Sequence, residues 1–83
     1  MSSIAEVAAA LASVREQLLQ AHQVLIEADE LIGETLAALA KAGKHHSASL
    51  VPPELLGAGQ GHGRTVELVT AALDRVEGLM TSL

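Results

Sequence analysis

A heptad repeat of apolar side chains runs through the first half of the chain. Large aliphatic residues occupy position a, and smaller or β-branched residues occupy position d: Ile4, Leu11, Leu18, Leu25, Ile32 and Leu39 at a, and Val7, Val14, Ala21, Ala28 and Thr35 at d. No glycine or proline interrupts this repeat before Gly33. Because side chains three and four residues apart share one face of an α-helix, the spacing predicts one long amphipathic helix.

Capping residues mark both ends of this helix. Ser3 and Glu6 have the spacing of a capping box, in which the serine hydroxyl accepts from a first-turn amide and the glutamate bonds back to the serine backbone. At the other end, Lys41 lies near the negative end of the helix dipole, and Gly43 is suited to a left-handed C-cap. We therefore expect a helix over residues 4–42.

A second helix is predicted after a connection that contains two prolines. Pro52 and Pro53 prevent helix continuation, so residues 43–52 are expected to form a turn, with a helix over residues 53–82. Its seam positions keep one heptad phase: Leu55, Gly59, His62, Val66, Val69, Leu73, Val76, Met80 and Leu83. Each of the four glycines within residues 57–63 lowers helix propensity by about 0.8 to 1 kcal/mol relative to alanine. The sequence therefore predicts a weak start to this helix.

The composition agrees with an all-α fold. The chain has 83 residues, 49% of them hydrophobic, and it contains no Phe, Trp, Tyr or Cys. Strands favour aromatic and β-branched residues in alternation, whereas the apolar residues here recur at three and four. We predict a single domain over residues 1–83, an antiparallel two-helix hairpin that resembles a coiled coil.

Charge and hydropathy exclude several classes of partner. The net charge of −5 opposes the phosphate backbone, and the five basic residues are scattered, so we expect no nucleic-acid partner. No stretch approaches the roughly 20 apolar residues that span a bilayer, and the N-terminus lacks the pattern of a secretory leader. We expect a cytoplasmic protein without a membrane partner.

The polar residues do not form a recognisable catalytic or metal site. Glu27, Glu30 and Glu34 share the wet face of the first helix, where carboxylates are normally solvated. His45 and His46 are adjacent in the turn, and His62 occupies a seam position of the second helix; none has the one-turn histidine spacing or carboxylate support of a metal site. We predict no metal, no cofactor and no catalytic residue, and hence a protein that is not an enzyme.

The apolar arc of the first helix is wider than one partner helix can cover. Beyond positions a and d it includes Val24 and Leu31 at position g, and Leu19 and Ile26 at position b. Unpartnered apolar width of this kind indicates an interaction surface. We predict that these four residues mediate association with a second copy, which completes a four-helix bundle, or with another helical protein.

The chain resembles a group of small actinobacterial helical-hairpin proteins of unknown function. The shared features are an Ala-rich acidic composition, a long first helix like residues 3–42, a polar glycine-containing turn, and a second helix closing on Val76-Glu77-Gly78-Leu79. This resemblance implies the hairpin fold and no particular activity. In size and hairpin form the chain is also similar to WXG-type substrates of type VII secretion, although it lacks their Trp-x-Gly turn and C-terminal tyrosine signal.

Three functions are compatible with these features. The favoured one is a structural or protein-interaction module that acts by helix–helix association without catalysis. The first alternative is a secretion-associated hairpin of the type VII kind. The second is a small carrier of a ligand or metal that uses the groove between the helices together with His62.

Overall fold

The computed structural model describes residues 3–83 and contains two helices, α1 (Ile4–Ala42) and α2 (Pro53–Thr81). They pack against each other as a hairpin, and the described residues include no strand. The predicted all-α hairpin is therefore confirmed. The molecule is a rod with Cα dimensions of 65 × 18 × 15 Å.

The start of α1 follows the capping prediction, whereas its end does not. At the start, the Ser3 hydroxyl accepts a hydrogen bond from the Glu6 backbone N–H at 3.1 Å. At the end, Gly43 has a φ of −86°, so the left-handed cap predicted for it is wrong. The glycine is needed for space instead, since an added Cβ would lie 3.2 Å from Leu50 Cγ. Its N–H donates to the Leu39 carbonyl at 2.9 Å.

Helix α2 is continuous through its glycine-rich start. It begins at Pro53, where the missing amide removes no helical hydrogen bond, and runs without a break to Thr81. Packing against α1 helps to offset the low propensity of this segment. A Cβ built at Gly59 would lie 3.5 Å from Ile32 Cγ2, which is ordinary van der Waals distance. The backbones of the two helices therefore approach each other closely here.

The α1 side of the seam, meaning the rows of side chains that pack between the helices, differs from the prediction. Position a is partly buried from Leu11 to Leu39, whereas Ile4 is exposed. Its main seam partner is position e: Ala8, Arg15, His22, Leu36 and Gly43 are partly buried, whereas Val7, Val14, Ala21 and Thr35 at position d are exposed. The exception is mid-helix, where Ala28 at position d is partly buried and Asp29 at position e is exposed. Rows d and e flank row a equally. Which of them packs in the seam therefore depends on partners across the hairpin. Arg15 binds Glu77 on α2, and the His62 ring binds the Leu25 carbonyl.

The α2 side of the seam follows the predicted heptad phase. From Leu55 to Met80 the predicted positions are all at least partly buried, and Leu73 is the one buried hydrophobic residue among the described residues. Leu83, beyond the end of the helix, is exposed. Partial burial continues at three- and four-residue spacing along both helices. Because a straight α-helix drifts out of a seven-residue repeat, this pattern indicates coiled-coil packing.

Candidate interaction surface

Two contacts establish which rows of α1 and α2 lie on the same side of the hairpin. The Arg15 guanidinium Nε lies 3.1 Å from Glu77 Oε1. Near the turn, Gly33 of α1 and Leu56 of α2 line one groove. Leu56 and Glu77 are three heptads apart and therefore share one row of α2. This row thus lies on the same side as the α1 row that contains Gly33.

The side marked by these contacts is rich in carboxylates, and we call it the acidic face. Position f of α1 carries Glu16 and Glu30 along this face, and the corresponding edge of α2 carries Glu67, Asp74 and Glu77. Three larger apolar side chains lie among them: Leu19, Ile26 and Leu56. Leu19 and Ile26 are fourteen and seven residues before Gly33, and so belong to its row. A second acidic surface would be repelled from this face.

The opposite side of α1 is uncharged. We use the name neutral face for this side of α1 and the neighbouring residues of α2. On α1 the neutral face consists of positions d and g: Val7, Ala10, Val14, Gln17, Ala21, Val24, Ala28, Leu31, Thr35 and Ala38. The side chains of Val24 and Leu31 are 63% and 64% exposed, and Val14 is also exposed. This face presents apolar side chains to water for about seven helical turns without a charge.

Helix α2 extends the neutral face. The corresponding row contains Ala58, Thr65, Leu68, Ala72, Arg75 and Leu79, with Arg75 as its one charged member. Leu68 and Leu79 are both more than half exposed. Between them lies a shallow hollow of about 300 Å³ lined by Leu68, Ala71, Ala72 and Arg75. Residues at i, i+3, i+4 and i+7 form the hole that accepts a side chain of another helix in coiled-coil packing.

The four residues predicted as an interface lie on both faces. Val24 and Leu31 belong to the neutral face, whereas Leu19 and Ile26 belong to the acidic face. Leu19 and Val24 are five residues apart, so they point about 140° apart around the helix axis. One flat partner surface therefore cannot cover all four. The predicted seam of rows a and d does not reveal that these residues lie on two faces, because in the structure row e is part of the seam.

His22, His46 and His62 lie in different surroundings within the hairpin. The His62 ring contacts the Leu25 carbonyl within the seam, and the His46 ring contacts the backbone of Ala48 within the turn. His22 is partly buried in the seam of α1. Within residues 3–83, no three His, Asp or Glu side chains cluster closely enough to hold a metal ion. The contacts of His62 and His46 are with backbone atoms of the chain itself.

The carboxylates on the outer surface of α1 are also separate from the groove. Glu27 and Glu34 are exposed, and Glu27 accepts a hydrogen bond from Gln23 at 3.2 Å. The groove near the turn is lined mainly by the apolar side chains of Ile32, Leu36 and Leu56, with Asp29 and Gln60 at its edge. The geometry thus offers apolar helix surfaces for contact, rather than converging polar groups.

Neither described helix has a segment long and apolar enough to cross a membrane. Comparison with family models, with curated proteins and with solved structures finds no match to this chain. The case for a function therefore depends on the hairpin and its two faces.

Proposed function

We propose that this protein is a helix–helix association module that acts by joining its hairpin to another helical chain, without catalysis. The observation that carries the proposal is the burial pattern. Leu73, at 8% exposure, is the one buried hydrophobic residue of residues 3–83, while Val24, Leu31, Leu68 and Leu79 are each more than half exposed.

Burial on this scale leaves a hairpin poorly stabilised when it is alone. Small domains bury a low fraction of their surface, and two helices that meet along one seam bury less than a bundle does. Singly exposed apolar residues are common on soluble proteins, but continuous apolar rows usually mark interaction surfaces. Association with further helices would complete a bundle core that the single chain provides only in part.

The test is the solution mass together with the concentration dependence of folding. Sedimentation equilibrium and thermal unfolding by circular dichroism would be measured at about 5 µM and about 200 µM protein. Association with copies of itself predicts a mass above 8.5 kDa and a melting temperature that rises with concentration.

The outcomes separate the possibilities. A poorly folded monomer would indicate that another helical chain must complete the bundle, which still agrees with the proposed function. A well-folded monomer whose melting temperature is the same at both concentrations would contradict it, because the hairpin would then need no further helix.

A further inference from the structure

We propose, on the basis of this association function, that the neutral face binds a second copy of the chain through a two-fold axis perpendicular to the helices. In this dimer α1 packs antiparallel on α1 of the second copy, and α2 packs on α2. The result is a four-helix bundle with the acidic faces on the outside.

The distribution of charge selects the face. Each chain carries a net charge of −5. Contact through the acidic faces would bring together Glu16, Glu30, Glu67 and Asp74 of both copies, and burying like charges without partners is strongly unfavourable. The neutral face of α1 has no charge from Val7 to Ala38, and α2 adds only Arg75 between Ala58 and Leu79. Two acidic chains therefore approach each other with least repulsion through this face.

The order of side-chain sizes along α1 favours antiparallel packing of α1 on α1 of the second copy. Around a point level with residue 19, Val and Leu residues of the neutral face are matched by Val and Leu, and Ala10 by Ala28, while at the centre Gln17 faces Ala21. An antiparallel copy centred there places Val14 against Val24 of the second copy. It also places Val7 against Leu31 and Ala10 against Ala28. Such matching fills space evenly, as well-packed cores require.

The same axis produces a matching contact on α2. The Arg15–Glu77 ion pair and the Gly59–Ile32 approach place residue 19 of α1 level with the region around Ala72. Leu68 and Leu79 lie on opposite sides of that level, so Leu68 of one copy meets Leu79 of the other. Leu68 borders the hollow lined by Ala71 and Ala72, which gives Leu79 of the second copy a place to pack beside it.

The area is sufficient for a stable dimer. Helical segments that overlap over residues 3–35 are about 48 Å long. With the 18 Å width of the hairpin, each copy contributes roughly 850 Å² of projected face. Stable protein interfaces bury about 800 Å² on each partner.

Paired substitutions test which face is used. Leu79→Glu on the neutral face and Leu56→Glu on the acidic face change the same residue type on the same helix, at side chains that are 51% and 49% exposed. We expect Leu79→Glu and Val24→Glu to raise the dimer dissociation constant at least about 100-fold, since a carboxylate would be buried in an apolar contact. Leu56→Glu should leave the dimer intact, and circular dichroism would check that each variant stays helical.

Engineered cysteines test the direction of packing, because the chain has no cysteine of its own. The double variant Val14→Cys/Val24→Cys should form a covalent dimer in a glutathione redox buffer, with each cysteine joined to the other position in the second copy. The two positions are about 15 Å apart along one helix, so they cannot form a disulfide within a chain. Each single variant should give far less covalent dimer, since its cysteines lie apart across the axis.

Failure of this inference is distinguishable from failure of the proposed function. An oligomer that survives Val24→Glu and Leu79→Glu, or a double-cysteine variant that gives no covalent dimer, would overturn the proposed arrangement while leaving association intact. A poorly folded monomeric parent would overturn the second copy as the partner. A well-folded monomer would overturn both proposals.

Discussion

The two ends of the hairpin share one seam but fill it differently. At the end near the chain termini, α2 contributes Val69, Leu73, Val76 and Met80, and Leu73 is the one buried hydrophobic residue of residues 3–83. At the turn end, α2 contributes Gly59 opposite Ile32 and Leu36, leaving a groove of about 320 Å³. The α1 seam is if anything more apolar at the turn end, where it has Ile32 and Leu36 in place of Arg15 and His22, so the difference arises from the glycines of α2. On α2, therefore, heptad phase determines where the helix packs, and side-chain volume determines how firmly.

The difference in packing between the two ends should have its largest effect on local opening of α2. The four glycines of residues 57–63 lower helix stability by roughly 3 to 4 kcal/mol relative to alanine. After correction for intrinsic rates, we expect amides of residues 57–63 to exchange roughly 100 to 1,000 times faster than those of residues 69–76. Hydrogen exchange followed by NMR would measure this. Equal protection in the two segments would mean that packing at the turn end compensates for the glycines completely.

Truncation of Leu73 should remove most of the extra stability that the well-packed end has over the turn end. Leu73→Ala truncates a buried side chain, and such a change costs about 2 to 3 kcal/mol where the surroundings can partly relax. Urea unfolding would show a lower midpoint, with Leu56→Ala as the exposed control outside the proposed dimer contact, expected to change stability far less. A loss below about 1 kcal/mol for Leu73→Ala would show that the seam is not the main source of stability.

Alanine substitutions in the glycine segment should reduce the difference between the two ends. Gly57→Ala and Gly61→Ala add a Cβ in open space, and each should raise the free energy of unfolding by about 0.8 to 1 kcal/mol through helix propensity. Gly59→Ala should gain at least as much, because its Cβ would contact Ile32 without a clash. Thermal unfolding of the three variants would measure these gains.

The opposite sign is expected at the end of α1, which makes a useful control. Gly43→Ala would place a Cβ 3.2 Å from Leu50 Cγ and 3.3 Å from the Leu39 carbonyl oxygen. Both neighbours would have to move, so we expect no gain in stability. A stabilisation equal to that of Gly57→Ala would show that the Leu50 contact does not constrain this position.

Most of the fold was accessible from the sequence, because it depends on signals that are local. The Ser3 cap, the prolines at residues 52 and 53 and the three- and four-residue periodicity are all short-range features, and they predict the helices and their hairpin. The choice between rows d and e of α1 was not accessible. It depends on Glu77 and His62 reaching across from α2, a pairing that appears only when the register of the two helices is known.

The unknown register of the two helices also explains why the four predicted interface residues lie on two different faces. Val24 and Leu31 were identified by their excess apolar character alone, and so were Leu19 and Ile26. Which of them share a face depends on where the seam lies. Moving the seam from rows a and d to rows a and e places the first pair beside an uncharged surface and the second pair beside carboxylates. The composition of a helix thus reveals apolar width, but the partner helix divides that width into faces.

The smallest expected effect concerns the ion pair at the well-packed end. Arg15 occupies the seam row, yet its side chain is 41% exposed and that of Glu77 is 49% exposed. Solvent screens such a pair, and exposed pairs contribute only about 0.2 to 1 kcal/mol. We expect the coupling energy from a double-mutant cycle of Arg15→Gln and Glu77→Gln to be at most about 0.5 kcal/mol, falling further in 1 M salt. A salt-independent coupling above about 1.5 kcal/mol would show that the pair is desolvated, and that a polar contact, in addition to Leu73, holds this end of the hairpin together.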